Sequence, residues 1–148
     1  MRLADALTTV SRLAFDTAPI IYFVEANPNY DKLVTEIFSR VNAGEIEGWT
    51  SVISLSEVLV QPIVAGRRDL QQQYRELLLR SSHFHTAGIT SAAAETAATI
   101  RATYGLRLPD ALQIASAIEN RCQAFVCNDR AISRVKELQV LILDDLEI

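Results

Sequence analysis

Cysteine, glycine, proline and lysine are all scarce in this chain of 148 residues. Two cysteines, Cys122 and Cys127, make no disulfide framework, and no Cys/His spacing matches a zinc site. Five glycines and four prolines exclude collagen-like, low-complexity and linker character. No apolar run approaches the ~18 residues of a membrane span. Asp5 falls where a secretory signal needs its apolar stretch, so no export signal is expected. These absences predict a reduced, cytoplasmic protein without a membrane role. What is present is ordinary for a globular domain, with 49% hydrophobic and 22% charged residues. The length is that of one domain, 1–148, able to bury roughly 70% of its unfolded surface.

The charges are unevenly spread. The net charge is −4, yet residues 67–136 carry ten basic and six acidic side chains. Lysine appears only at positions 32 and 136, so nearly every cation is an arginine, whose planar fork suits phosphate. A nucleic-acid partner would be held over a small area, because binding follows local patches rather than net charge.

Short, continuously apolar segments alternate with helical patterns. Strands are expected at 12–15, 49–53, 84–89, 124–127 and 140–143. Helices are expected from Pro19 to Val24, then through Leu33, Ile37, Phe38 and Val41 until Asn42-Ala43-Gly44 closes the second, and at 54–64, 67–81, 91–104, 109–120 and 130–136. Residues 1–10 carry no assignment. The alternation predicts a parallel sheet covered on both faces, a three-layer α/β/α domain.

In an open parallel sheet, ligands bind beyond the carboxyl ends of the strands. Four acids fall at such positions: Asp16 after the first strand, Glu57 early in the next helix, Asp110 behind Pro109, and Asp129 after the fourth strand. Each has a local account as well. Ser54 and Glu57 have capping-box spacing, Asp16 and Asp129 can cap helices, and Asp110 suits a helix start. Together they would repel one another unless a cation neutralised them. Oxygen-only clusters suit Mg²⁺ or Mn²⁺, which accept phosphate oxygens and activate water. Without the four, basic and acidic residues balance at 14 each.

The segments Leu13-Ala14-Phe15-Asp16-Thr17, residues 51–57, residues 106–117 around Asp110-Ala111-Leu112, and Cys127-Asn128-Asp129-Arg130 resemble, in order and spacing, the PIN-domain family of metal-dependent nucleases. Within it they are most similar to VapC-type toxins of bacterial toxin–antitoxin pairs. The resemblance implies a five-stranded parallel sheet and an endoribonuclease that hydrolyses RNA with Mg²⁺ or Mn²⁺. It also implies a cognate antitoxin and a homodimer. The family's acidic quartet maps onto Asp16, Glu57, Asp110 and Asp129. Cys127 departs from the family's usual Thr or Ser and replaces a hydroxyl by a weakly bonding thiol.

Thr17, Arg107, Asn128 and Arg130 are expected around the acids, supporting them or touching RNA. His83 and His85 share one side of a strand and are expected to be an exposed pair, since no third histidine completes a metal site. Tyr22, Phe23 and Trp49 are expected in the core. Two other enzyme classes use similar sheets. A haloacid-dehalogenase-like phosphatase needs an acid where Ala18 stands, and a receiver domain needs a strand-end lysine that this chain lacks. A non-catalytic module that holds RNA or protein on the same fold is the remaining alternative.

Overall fold

The computed structural model describes residues 1–148. Five strands form one sheet: β1 Arg12–Phe15, β2 Glu47–Ser51, β3 Phe84–Ala87, β4 Ala124–Cys127 and β5 Gln139–Ile142. All pairings are parallel and the order is β3-β2-β1-β4-β5. Side chains alternate across a strand, and β1 shows the consequence. Leu13 and Phe15 enter one core with Ala124 and Val126, while Ala14 enters the other with Phe125 and Cys127. The first core is closed by α1 Leu3–Ala6, α2 Thr17–Val24, α3 Asp31–Asn42, α4 Val52–Val64 and α5 Arg68–Arg75. The second is closed by α6 Ser91–Tyr104 and α7 Leu108–Glu119. The fold is therefore the expected three-layer α/β/α sandwich.

Aromatic packing dominates the first core. Phe38 stacks on Phe23 at 4.1 Å between centroids and lies 4.7 Å from Phe15. Burying such a ring contributes about 1.5–3 kcal/mol. Gly48 pairs with Phe84 across β2 and β3, and a Cβ there would lie 2.7 Å from the Phe84 ring. In the second core the alanines of α6 let that helix sit close to α7. Thr90 caps α6 by accepting from Ala93 N–H, and Gly105 ends it at φ +69°.

Several boundaries differ from expectation, each for a local reason. The unassigned start forms α1, tied down where Leu3 N–H donates to Glu147 O at 2.7 Å. α2 begins at Thr17, so Pro19 sits third in the helix. It is tolerated because the first four N–H groups of a helix have no partner inside it. β2 lies two residues earlier than expected, and Ser51 ends it by capping α4 through Ile53 N–H. The helix expected over 67–81 splits into α5 and a π-turn, Glu76–Arg80. The wide turn is accommodated because Leu78 O accepts from Thr86 Oγ1 at 2.6 Å and Leu77 O from Ser81 Oγ. β3 stops at Ala87, and β5 covers Gln139–Ile142. The helix after β4 is a 3₁₀ turn, Arg130–Arg134.

Strand order grows from β1 towards β3 on one side and through β4 to β5 on the other. The reversal point, where a parallel sheet opens a crevice, lies between β1 and β4. Asp16 N–H donates to Val126 O there at 2.9 Å, joining the ends of the two strands.

Candidate active site

Asp16 stands at that crevice, and Asp110, Glu57 and Asp129 lie near enough for their charges to act on it. Asp16 directly follows β1 and stands at the N-cap of α2, but its side chain makes no capping bond. Burial first, then the charges of Asp110, Glu57 and Asp129, push its carboxyl up to about 6, against the lowering effect of Thr17 N–H. Asp110, in the first turn of α7, has a side chain only 15% exposed. Burial raises its pKa, Arg107 opposes that, and Asp129 and Glu57 add to it. Arg107 Nε donates to Asp110 Oδ2 at 3.4 Å. Both half-buried carboxyls therefore sense the same two neighbours, Glu57 and Asp129, so all four acids share one electrostatic field.

The local accounts of these acids divide. The capping box of Ser54 and Glu57 does not form, because Ser51 is the cap and Ser54 lies inside the helix. Glu57 instead accepts from Thr17 Oγ1 at 2.7 Å. Asp129 does cap its turn, accepting from Ala131 N–H at 2.9 Å. With Asp110 leaning on Arg107, Glu57 on Thr17 and Asp129 on its own turn, no three His, Cys, Asp or Glu side chains form a set able to grip one ion as they stand. The donor chemistry nevertheless suits a hard divalent ion. Every candidate ligand is a carboxylate oxygen, and the burial of Asp16 leaves an ionisation cost that a cation would remove.

The surrounding residues sort differently. Thr17 holds Glu57, as a supporting residue would. Arg107 is in place beside Asp110. Arg130 points its guanidinium at Asp145 instead, with bonds of 2.7 and 3.1 Å. Asn128 Oδ1 accepts from Asp144 N–H at 3.2 Å and so orders the 3₁₀ turn Leu143–Asp145. Cys127 is fully buried, and burial together with the nearby acids pushes its thiol up to about 12. It is an inert wall of the site.

A polar layer under the acids was not expected from sequence. Thr50, Ser51, Ser54 and Gln113 are all buried and bonded to one another. Gln113 sits one turn after Asp110 on the apolar side of α7, and an amide on such a stripe was the available signal.

His83 and His85 lie at the opposite edge of the sheet. Both bond one carboxylate, His83 Nδ1 to Glu47 Oε1 at 2.9 Å and His85 Nε2 to Oε2 at 2.6 Å. They are half-exposed, as expected, and they hold Glu47 below the usual carboxylate range, His85 more than His83. Trp49 packs on His85, at 4.4 Å between ring centroids. Tyr22 and Phe23 pack against the first core, Tyr22 stacked on Tyr30 at 4.5 Å.

A family model described as PIN domain matches residues 13–138. No curated protein matches the chain. Among solved structures, it is similar to a toxin–antitoxin complex from Klebsiella pneumoniae at 21% identity and a TM-score of 0.67, covering 88% of this chain and 97% of that one. It is similar to VapBC2 from Rickettsia felis, bound to a DNA fragment from its promoter, at 15% identity and a TM-score of 0.68, covering 88% and 98%. DNA-bound VapBC from Salmonella typhimurium matches at 17% identity and a TM-score of 0.64, covering 89% and 98%. At these identities the likeness shows a shared fold.

Proposed function

The chain belongs to the PIN domain family, and from that premise we propose that it is a Mg²⁺- or Mn²⁺-dependent endoribonuclease, the toxin of a toxin–antitoxin pair acting in the cytoplasm. The observation that carries the reading is the shared field of Asp16, Glu57, Asp110 and Asp129 at the sheet's reversal point. Asp16 and Asp110 would hold the ion most directly, being the two whose burial opposes ionisation. Glu57 and Asp129 would complete its surroundings. A bound ion supplies positive charge that polarises a phosphodiester and lowers the pKa of a water.

The chain's own residues do the rest. Thr17 fixes Glu57 as an acceptor, and Glu57 or Asp129 takes the proton of the attacking water. Arg107, exposed and 3.4 Å from Asp110 Oδ2, would bond a phosphate oxygen of an RNA laid over the acids. In-line attack on phosphorus with departure of the 3′ oxygen leaves 5′-phosphate and 3′-hydroxyl ends. The test is to sequence the RNA ends generated by wild type and by Asp110→Asn. Wild type should cut and the variant should not, with its fold retained. Equal cutting by both overturns the assignment.

An antitoxin partner is supported by the similar complexes and by apolar surface on this chain. Val60, Ile63 and Val64 of α4 are exposed, and a cleft of about 130 Å³ lined by Phe23, Phe38, Leu77 and Phe84 opens beside α2. An amphipathic helix or extended segment of the partner would bury these side chains. A second copy of the chain, as a homodimer, belongs to the same proposal. No helix is long and apolar enough to cross a membrane.

A non-catalytic RNA- or protein-binding module is the rival. It is favoured by one observation, that no three side chains form a ready ligand set. Stabilisation by Mn²⁺ that depends on Asp16 separates the two readings.

A further inference from the structure

The polar layer beneath the acids has a direction. Ser51 Oγ accepts from Ile53 N–H, so its own proton goes to Gln113 Oε1 at 2.6 Å. Gln113 Nε2 donates to Ser54 Oγ at 2.6 Å and lies 3.4 Å from Thr17 Oγ1. Thr17 gives its one proton to Glu57 Oε1 and accepts along the run, from Gln113 Nε2 and across its 3.0 Å contact with Ser54. Each hydroxyl carries a single proton: those of Ser51 and Thr17 are directed along the run, and that of Ser54, turned away from the Gln113 amide, is shared between Thr17 and Thr50. The run proceeds from Ser51 through Gln113, Ser54 and Thr17 and ends on Glu57. The amide is the only member with distinct donor and acceptor ends, and it therefore sets the sense of the whole run.

We propose that Gln113 is a positioning residue of the RNA-cleaving site: its buried amide orients the hydroxyls of Ser54 and Thr17 so that Glu57 is held as an acceptor, facing the other three acids. The inference rests on the function proposed above and deepens it. Gln113 also joins the pieces that carry the acids. It lies one turn beyond Asp110 on α7, bonds Ser51 at the end of β2 and Ser54 on α4, and reaches Thr17 behind Asp16. A glutamine is costly to bury unless its polar atoms are paired, and here the amide is paired at both ends inside the protein. Thr50 braces the run from the sheet side, its Oγ1 within 2.9 Å of both Phe15 O and Ser54 Oγ.

Methionine at 113 preserves length and apolar volume but removes donor and acceptor. Glutamate preserves the acceptor for Ser51 but has no proton for Ser54. Groups that support ligand carboxylates typically change metal affinity or activity by about ten- to a hundredfold. The experiment measures binding of Mn²⁺ alone by calorimetry, and kcat and KM for RNA, in wild type, Gln113→Met, Gln113→Glu, Thr17→Val and the double variant Gln113→Met/Thr17→Val. Both single variants at 113 should weaken Mn²⁺ binding and lower kcat by about tenfold or more, with KM for RNA unchanged. The double variant should be no worse than Thr17→Val, because both changes cut one run. Multiplying effects, or Gln113→Met binding Mn²⁺ as tightly as wild type, overturn the proposal. If Gln113→Met fails to fold, Ser54→Ala cuts the next link and carries the same expectations. Wild type that neither binds Mn²⁺ nor cuts RNA removes the functional reading and this one with it. Wild-type activity alongside an unaffected Gln113→Met removes only this one.

Discussion

Asp16 works against its surroundings whenever it is ionised without a cation nearby. A carboxyl moved from 3.8 to about 6 costs about 3 kcal/mol more to ionise in the folded chain than in the unfolded one. Its folded pKa is the higher, so the folded state binds the extra proton. The penalty is absent well below the unfolded pKa, grows as pH rises from about 4 to about 6, and is full above that. Asp16→Asn should therefore stabilise the metal-free protein by up to about 3 kcal/mol near neutral pH, and by roughly half of that at about pH 5. Urea unfolding in a chelator at both pH values checks this. No gain at neutral pH would mean that Asp16 is more solvated than its position indicates.

At the scale of elements, the site is built from what ends each strand. Ser51 ends β2, caps α4 and begins the run to Glu57, so one residue terminates a strand, starts a helix and supports the site. Asp129 caps its 3₁₀ turn while sharing the field of Asp16 and Asp110. Edge strand β3 is held in register by Gly48 facing Phe84, a ring packed 5.5 Å from Phe15. A methyl at 48 must displace that ring or separate the strands. Gly48→Ala should cost about 1–3 kcal/mol, read as a lower urea midpoint. RNA cleavage should survive, since β3 carries none of the four acids.

At the scale of the molecule, four negative charges on one crevice account for the chain's whole acidic surplus. Two hydrophobic cores, one on each face of the sheet, hold the strand ends that carry the acids together against this repulsion. A divalent ion that binds only the folded crevice must stabilise the fold by mass action, by about 2.7 kcal/mol at a hundred times its dissociation constant. Mn²⁺ should raise the melting temperature of wild type, and Asp16→Asn should lose that response. Calorimetric scans with and without Mn²⁺ measure both, and an equal shift in the two proteins would favour the binding-module reading.

The alternation of apolar strands with helices determined the sandwich, because a strand buried on both faces needs apolar residues along its length. β1 and β4 were legible to the residue for that reason. The spacing of Asp16, Glu57, Asp110 and Asp129 likewise lay in the sequence, since strand ends and helix starts are local features. Boundaries shifted where a tertiary partner intervened, as at Ser51 or at the π-turn beside β3. What only the folded chain decided was which local role each polar side chain kept. Glu57 left its capping box for Thr17, Arg130 turned to Asp145, and Gln113 joined three elements under the acids. Hydrogen bonds between residues 37 to 96 positions apart depend on register and helix packing, which no local pattern records.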